Sequence, residues 1–158
     1  MIKKFLSLIL AAVILQGCSS PDQSSTSQET FSTLEDAVNE FKASVAKNLV
    51  LVKTTDDSHL LLAEDTNGLF YVGGIQQKGD QFIPGKLTAR IDLSSGAGGA
   101  GVEIDIPDSK KKYYVSVKKN SIINSDKQSY MPLSKNKSFQ VLSKKEGEAV
   151  VKSYEKIK

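Results

Sequence analysis

Apolar residues recur along this chain with two different periods. In the first part the spacing is helical, and one apolar stripe consists of Leu34, Val38, Phe41 and Val45. The preceding Ser32-Thr33-Leu34-Glu35 has the form of a capping box, in which the serine accepts a hydrogen bond from an early backbone N–H. The pattern predicts an amphipathic helix that starts after Ser32 and ends near Asn48, a residue type that tolerates the left-handed conformation closing many helices.

Beyond this helix the apolar period changes to two, which is typical of strands. Asn67-Gly68 predicts a hairpin with a type I′ turn, because both residues accept positive φ angles. Strands are predicted over 49–54, 59–64, 69–76, 82–83, 87–93, 102–106, 113–117 and 139–141. The segment 148–157 fits a strand or a short helix, and we favour the strand.

One helix followed by about six to eight short antiparallel strands predicts an α+β fold. In this fold the N-terminal amphipathic helix packs on one face of a twisted antiparallel meander. The alternative is a β-sandwich or partly closed barrel with an appended helix.

The N-terminus has a pattern of its own. After Lys3 and Lys4, an apolar run of about 11 residues leads into Leu15-Gln16-Gly17-Cys18. Crossing a bilayer as a helix takes roughly 20 residues, so the run indicates the core of a signal peptide. The arrangement resembles the lipobox of bacterial lipoproteins over residues 1–20. The resemblance implies cleavage just before Cys18 and attachment of a diacylglyceryl group to its sulfur.

The alternative is an ordinary secretory signal followed by release of the chain. The position of the only cysteine at the end of the apolar run favours lipidation. Two acyl chains are enough for stable anchoring, so we expect a protein of the cell envelope. In a Gram-negative cell the resemblance implies the outer membrane, because Ser19 is not the aspartate that favours retention; in a Gram-positive cell it implies the outer face of the plasma membrane.

These features predict three regions. Residues 1–17 form the signal peptide, residues 18–31 are the lipidated cysteine with a flexible Ser/Thr-rich tether, and residues 32–158 form a single globular domain. With no second cysteine in the chain, no disulfide within it can support this domain.

Charge is divided unevenly along the chain. Residues 19–105 carry a net charge of −7 and residues 106–158 a net charge of +8. Such a division indicates an interaction surface if one sign clusters, whereas the two halves neutralise each other if they intermix in the fold. Both outcomes are open at this stage.

The most basic segment is the candidate binding patch, which consists of Lys110, Lys111, Lys112, Tyr114, Lys118 and Lys119. Lysines near an anionic lipid surface gain about 1 kcal/mol each, so the patch predicts an anionic membrane, an envelope polymer or an envelope protein as partner. The alternative is a solvated edge strand, where lysines prevent unwanted pairing. Nucleic acid is not expected for an exported protein.

The sequence predicts no catalytic residue, cofactor or metal. His59 is the only histidine, so a zinc site would lack its usual second imidazole. Gly96, Gly98 and Gly101 match a dinucleotide-binding spacing, but the residues after them predict a strand instead of the required helix.

We therefore expect a non-catalytic, lipid-anchored binding or structural module. One alternative is an inhibitor or immunity-type lipoprotein that uses the loop 94–101. Another is an envelope hydrolase with a carboxylate-only site, built from Glu64, Asp65, Asp92, Glu103 and Asp105.

Overall fold

The computed structural model describes residues 29–94, 98–107, 110–123, 130–145 and 147–158. Cys18 and residues 95–97 of the predicted loop lie outside this part of the chain. The described residues form α1 (Leu34–Val45), β1 (Asn48–Thr54), β2 (His59–Glu64), β3 (Phe70–Lys78), β4 (Gln81–Lys86), β5 (Gly99–Asp105), β6 (Lys112–Lys119), a 3₁₀ turn (Asn120–Ile122), β7 (Met131–Pro132), β8 (Lys137–Ser143) and β9 (Val151–Ile157).

The strands are arranged in two antiparallel sheets. The first sheet has the order β4-β3-β2-β1-β9, and the second has the order β5-β6-β8-β7. The inward faces of the two sheets share one hydrophobic core, to which the first sheet contributes Val50, Val52, Leu60, Leu62, Phe70 and Val72, and the second Ile104, Tyr113, Val115, Val117, Phe139 and Val141. Burial of this shared surface stabilises the sandwich.

The helix covers the other face of the first sheet. Its buried side chains Ala37, Val38 and Phe41 form a separate cluster with sheet residues that include Leu61 and Tyr71. Strand β2 is therefore buried on both faces, and Leu60, Leu61, Leu62 and Ala63 are each 0% exposed.

The predicted fold of one helix on a single meander of six to eight strands is wrong. The architecture is close to the alternative, a β-sandwich with an appended helix, because the strands from β5 to β8 form a second sheet. The continuous apolar run Leu60–Ala63 explains the need for this second sheet, since a strand that is apolar on both faces requires a covering layer on each.

The predicted strand over 87–93 is also absent. This segment crosses between the sheets, and only Ile91 forms a bridge, to Phe70. Leu87 and Thr88 both donate their backbone N–H to the carbonyl of Val72, at 2.9 and 3.2 Å. Its alternating pattern arises because Leu93 is buried and Leu87 and Ile91 pack against the same core.

The observed helix begins and ends a few residues away from the predicted positions. Thr33, not Ser32, caps the helix and accepts from the backbone N–H of Asp36 at 3.1 Å. The helix ends at Val45, and Asn48 begins β1 in place of a left-handed cap.

The hairpin at Asn67-Gly68 forms with a different turn. Only Gly68 in this turn has a positive φ, 77°. The Asp65 carboxylate accepts from the backbone N–H of Asn67 and of Leu69, at 2.8 and 3.0 Å, and so stabilises a longer loop than type I′. By contrast, the favoured strand at the C-terminus is confirmed as β9.

Candidate functional site

The predicted basic patch is divided between the two ends of strand β6. Lys110, Lys111 and Lys112 lie at its start, and Lys119 lies at its end. Since a strand rises about 3.3 Å per residue, the two ends of this 8-residue strand are roughly 23 Å apart. The patch is therefore not one contiguous cluster, and each end contributes to a different groove.

The first groove has a volume of about 640 Å³ and lies where the start of β6 meets the end of β8. Its five lysines are Lys110, Lys111, Lys112, Lys144 and Lys145. Lys144 and Lys145 follow Ser143, which is paired with Tyr113 of β6. The sequence pattern does not reveal these two lysines, because only the β6–β8 register places them beside a segment more than thirty residues earlier.

Three of these lysines are engaged by carboxylates. Lys112 lies 3.1 Å from Asp105, and Lys144 pairs with Glu103. Lys111 lies 3.7 Å from the Asp56 carboxylate and donates to the Asp56 carbonyl at 2.6 Å.

The other two lysines of the first groove, Lys110 and Lys145, make no ion pair or side-chain hydrogen bond with any residue that the structure describes. Both are exposed. Both side chains also line the groove.

The floor of the first groove is a polar network that joins the two sheets. The hydroxyl of Tyr113 on β6 lies 2.6 and 2.7 Å from the two carboxylate oxygens of Asp56. It also lies 3.0 Å from Ser58 Oγ. The buried Thr54 hydroxyl donates to Asp56 as well, at 2.5 Å.

This network fixes the ionisation of the groove floor. Burial opposes ionisation of Asp56, but hydrogen bonds from Thr54, Tyr113 and Ser58 and the charge of Lys111 lower its pKa to about 2. Burial, reinforced by the hydrogen bond to Asp56, raises the pKa of Tyr113. Near neutral pH the floor therefore holds one fixed carboxylate and one neutral phenol.

Lys111 also donates to Ser58 Oγ at 3.2 Å, which resembles a serine–lysine pair in spacing alone. A lysine that activates a serine must lose its proton. The Lys111 ammonium is already engaged by the carboxylate and the carbonyl of Asp56. This arrangement favours anion binding over activation of Ser58.

Tyr114 and Lys118 lie between the two ends of β6, on the outer face of the second sheet. Tyr114 is 39% exposed, and its ring lies over Gly101, where a Cβ would be 1.8 Å from the Tyr114 hydroxyl. Lys118 Nζ lies 5.2 Å from the centroid of the Tyr130 ring. The Tyr130 hydroxyl is 3.0 Å from Ser116 Oγ.

The second groove lies at the opposite end of the sandwich, between the two sheets, and has a volume of about 550 Å³. Its lysines are Lys47, Lys119, Lys135 and Lys137. Of these, only Lys119 belongs to the predicted basic patch. The others come from separate segments, so no run of basic residues marks them.

Lys137 has a structural role in the second groove. It pairs with Glu64 of the first sheet, and the two side chains are only 13% and 12% exposed. Lys137 also donates to the Gly68 carbonyl at 2.7 Å. Burial opposes ionisation of Glu64, but hydrogen bonds from Lys137 and Asn48 lower its pKa and keep the carboxylate charged. The Lys137–Glu64 ion pair therefore links the two sheets.

The uneven charge of the sequence corresponds to the two sheets only in part, because β5 belongs to the second sheet and β9 to the first. The acidic part of the chain builds α1, β1 to β4 and β5, whereas the basic part supplies β6 to β9. Ion pairs join the two parts at Lys111–Asp56, Lys112–Asp105, Lys137–Glu64, Lys144–Glu103 and Lys152–Asp57. The halves therefore neutralise each other in part and leave lysines over at both ends of β6.

The carboxylates proposed for a hydrolase do not come together in the described residues. Glu64, Glu103 and Asp105 each pair with a different lysine, while Asp65 lies 3.4 Å from Arg90. No group of three or more His, Cys, Asp or Glu side chains able to hold a metal occurs in this part of the chain. Burial and the charge of Lys53 lower the pKa of His59 at the start of β2, against the opposing charge of Asp57.

Comparison with protein-family models, with curated proteins and with solved structures finds no match for this chain. Within the described ranges, no helix has the length and apolar character that a membrane span requires.

Proposed function

We propose that this protein is a lipid-anchored, non-catalytic binding module of the bacterial cell envelope, and that its first groove binds anionic groups of an envelope component. The observation that carries the proposal is the convergence of lysines from two distant segments on one groove, with Lys110 and Lys145 left without an ion-pair partner among the described residues.

Electrostatics supports an anionic ligand. The first groove gathers five lysines, against the three carboxylates Asp56, Glu103 and Asp105 that pair with them. An entering phosphate or carboxylate meets this excess of positive charge beside a wall held in place by the Tyr113–Asp56 network. The free-energy cost of removing water from the ligand and the lysines is modest, because the groove is open to water.

The proposed anchor brings such a ligand close. For a Ser/Thr-rich tether of about 14 residues, such as the one predicted between Cys18 and the domain, the typical reach is roughly 20 Å. The groove therefore works near a surface that carries anionic lipids and polymers. Each lysine near such a surface contributes a gain of about fivefold in binding.

The test is co-sedimentation of the chain starting at Ser19 with phosphatidylglycerol vesicles, and its binding to inorganic polyphosphate. Every residue of both hydrophobic clusters lies at position 31 or later, so this chain keeps all the described core contacts. The double variant Lys110→Gln/Lys145→Gln should weaken binding by about 25-fold, and it leaves every described ion pair intact.

The matched control is Lys42→Gln/Lys86→Gln, which makes the same change in net charge outside both grooves. We expect this control to weaken binding by less than about twofold, because distant charges are screened at physiological salt. Equal losses in the two double variants, or no binding of either probe by the unaltered chain, would contradict the proposed site.

A further inference from the structure

We infer that the ligand is a linear polyanion, a polymer with repeated phosphate or carboxylate groups, and that a single chain of it occupies both grooves by lying along the outer face of the second sheet. This inference rests on the proposed function and deepens it by naming the form of the ligand.

The second groove has the same charge character as the first. Lys47, Lys119 and Lys135 make no ion pair or side-chain hydrogen bond with a residue in the described part of the chain. The described acidic residues near these lysines are Glu64, which forms an ion pair with Lys137, and Asp92. Hydrogen bonds from Ser94 lower the pKa of Asp92, and the charges of Lys119 and Lys137 lower it further.

A strip of β6 and β8 without acidic side chains connects the grooves, with Lys112 near one end, Lys118 near the other and Tyr130 in contact with the buried Ser116 in the middle. Along β6 the outward positions from one end to the other are Lys112, Tyr114, Ser116 and Lys118, and none of them is acidic. The outward neighbours on β8 are the neutral Ser138, Gln140 and Leu142. On β5, the side chains of Lys118 and Tyr114 occupy the space above Gly99 and Gly101. The acidic residues of β5 are Glu103 and Asp105, and both already pair with lysines.

The geometry favours a chain over a lipid surface. Both grooves are recessed between the two sheets, at opposite ends of the sandwich and roughly 23 Å apart along β6. A thin, flexible polymer can enter both recesses at once, whereas a planar array of headgroups cannot. Linking two weak contacts in one ligand raises the affinity by about 10² to 10⁴ without any new contact.

The test is calorimetric titration of the chain starting at Ser19 with inorganic tripolyphosphate, and with polyphosphate fractionated to just over the length of β6. The short probe can fill one groove only, so two molecules should bind per protein. The long probe should bind one per protein, with at least about 100-fold higher affinity per phosphate.

The variant Lys47→Gln/Lys119→Gln/Lys135→Gln separates the two grooves. It should bind a single tripolyphosphate, and the long probe should lose its advantage of about 100-fold. The control Lys42→Gln/Lys78→Gln/Lys86→Gln removes the same charge outside both grooves and should keep that advantage.

A long probe that binds no more tightly per phosphate than tripolyphosphate would overturn the inference, and so would equal losses in the two triple variants. If tripolyphosphate binding still depends on Lys110 and Lys145 in that case, the proposed function stands and only the bridging ligand is rejected. If the protein binds anionic vesicles but does not prefer long polyphosphate over tripolyphosphate, the ligand is a lipid headgroup and the inference is overturned.

Discussion

Asp56 lies in the turn between β1 and β2, yet one of its hydrogen-bond donors, Tyr113, is 57 residues further along the chain. Nothing in the local sequence Thr55-Asp56-Asp57-Ser58 distinguishes this aspartate from its neighbour. Asp57 is exposed and pairs with lysines at the surface, whereas Asp56 accepts hydrogen bonds from the core. The different roles of the two residues depend on the contact between the sheets, which a periodic pattern does not reveal.

The Asp56 network predicts a dependence of stability on acid pH. Because the pKa of Asp56 is about 2 in the folded protein and 3.8 ordinarily, its contribution is fully present above about pH 4 and is lost as the pH falls towards 2. Since the side chain is 41% exposed, solvent screening reduces this contribution to roughly 1 kcal/mol. Chemical denaturation between pH 2 and 5 measures it.

Tyr113→Phe removes the hydroxyl that donates to Asp56 and should lower the free energy of unfolding by about 2 kcal/mol at pH 7. Between pH 5 and pH 2 the variant should then lose less of its remaining stability than the unaltered protein loses. Tyr114→Phe, at the exposed neighbouring position, is the control and should change stability little. An unaltered acid profile in Tyr113→Phe would show that the hydrogen bond does not hold the Asp56 carboxylate ionised.

At the scale of elements, the contact between helix α1 and strand β3 depends on a missing side chain. A Cβ placed on Gly73 would lie 2.4 Å from Phe41 Cζ and 2.9 Å from the Gly85 carbonyl oxygen. The Phe41 ring therefore occupies the space above this glycine. At Gly74 the nearest atom to a Cβ is Leu87 Cδ1, 2.9 Å away at the end of a flexible side chain.

Gly73→Ala should therefore destabilise the protein by about 2 to 3 kcal/mol, since the helix must shift to accommodate the methyl group. Gly74→Ala should cost clearly less, because the side chain of Leu87 can rotate away. Thermal unfolding of the two variants side by side checks the order. A larger loss for Gly74→Ala would contradict this account of the helix contact.

Elements with a strong local signal were predictable, and those defined by partner segments were not. The apolar run within 59–64 gives the bounds of β2, and the apolar stripe gives α1 within about three residues. Apolar and polar residues alternate over 87–93 as they do in a strand. The segment nevertheless forms only a bridge to β3, because β4 already pairs with most of β3 and the chain then turns towards the second sheet. Likewise, lysines 110–112 stood out as a run, whereas Lys47 and Lys135 did not.

At the scale of the whole molecule, the proposed anchor determines where the grooves can act. Cys18→Ser should leave an unprocessed precursor without acyl chains, because the sulfur is the proposed attachment point. Labelling with radioactive palmitate and the size of the band on a gel measure both effects. Ser19→Ala is the matched control and should be labelled and cleaved normally. Continued labelling of Cys18→Ser would refute the lipobox interpretation.

The position of β9 has a consequence for how the chain reaches its folded state. Leu49 near the start of the domain pairs with Ile157 near its end, which closes a loop of about 100 residues and makes folding slow. Until the last residues have emerged, β1 lacks one neighbour and the first sheet remains incomplete. A chain that leaves a ribosome or a pore from its N-terminus is therefore kept from its final structure until β9 has emerged.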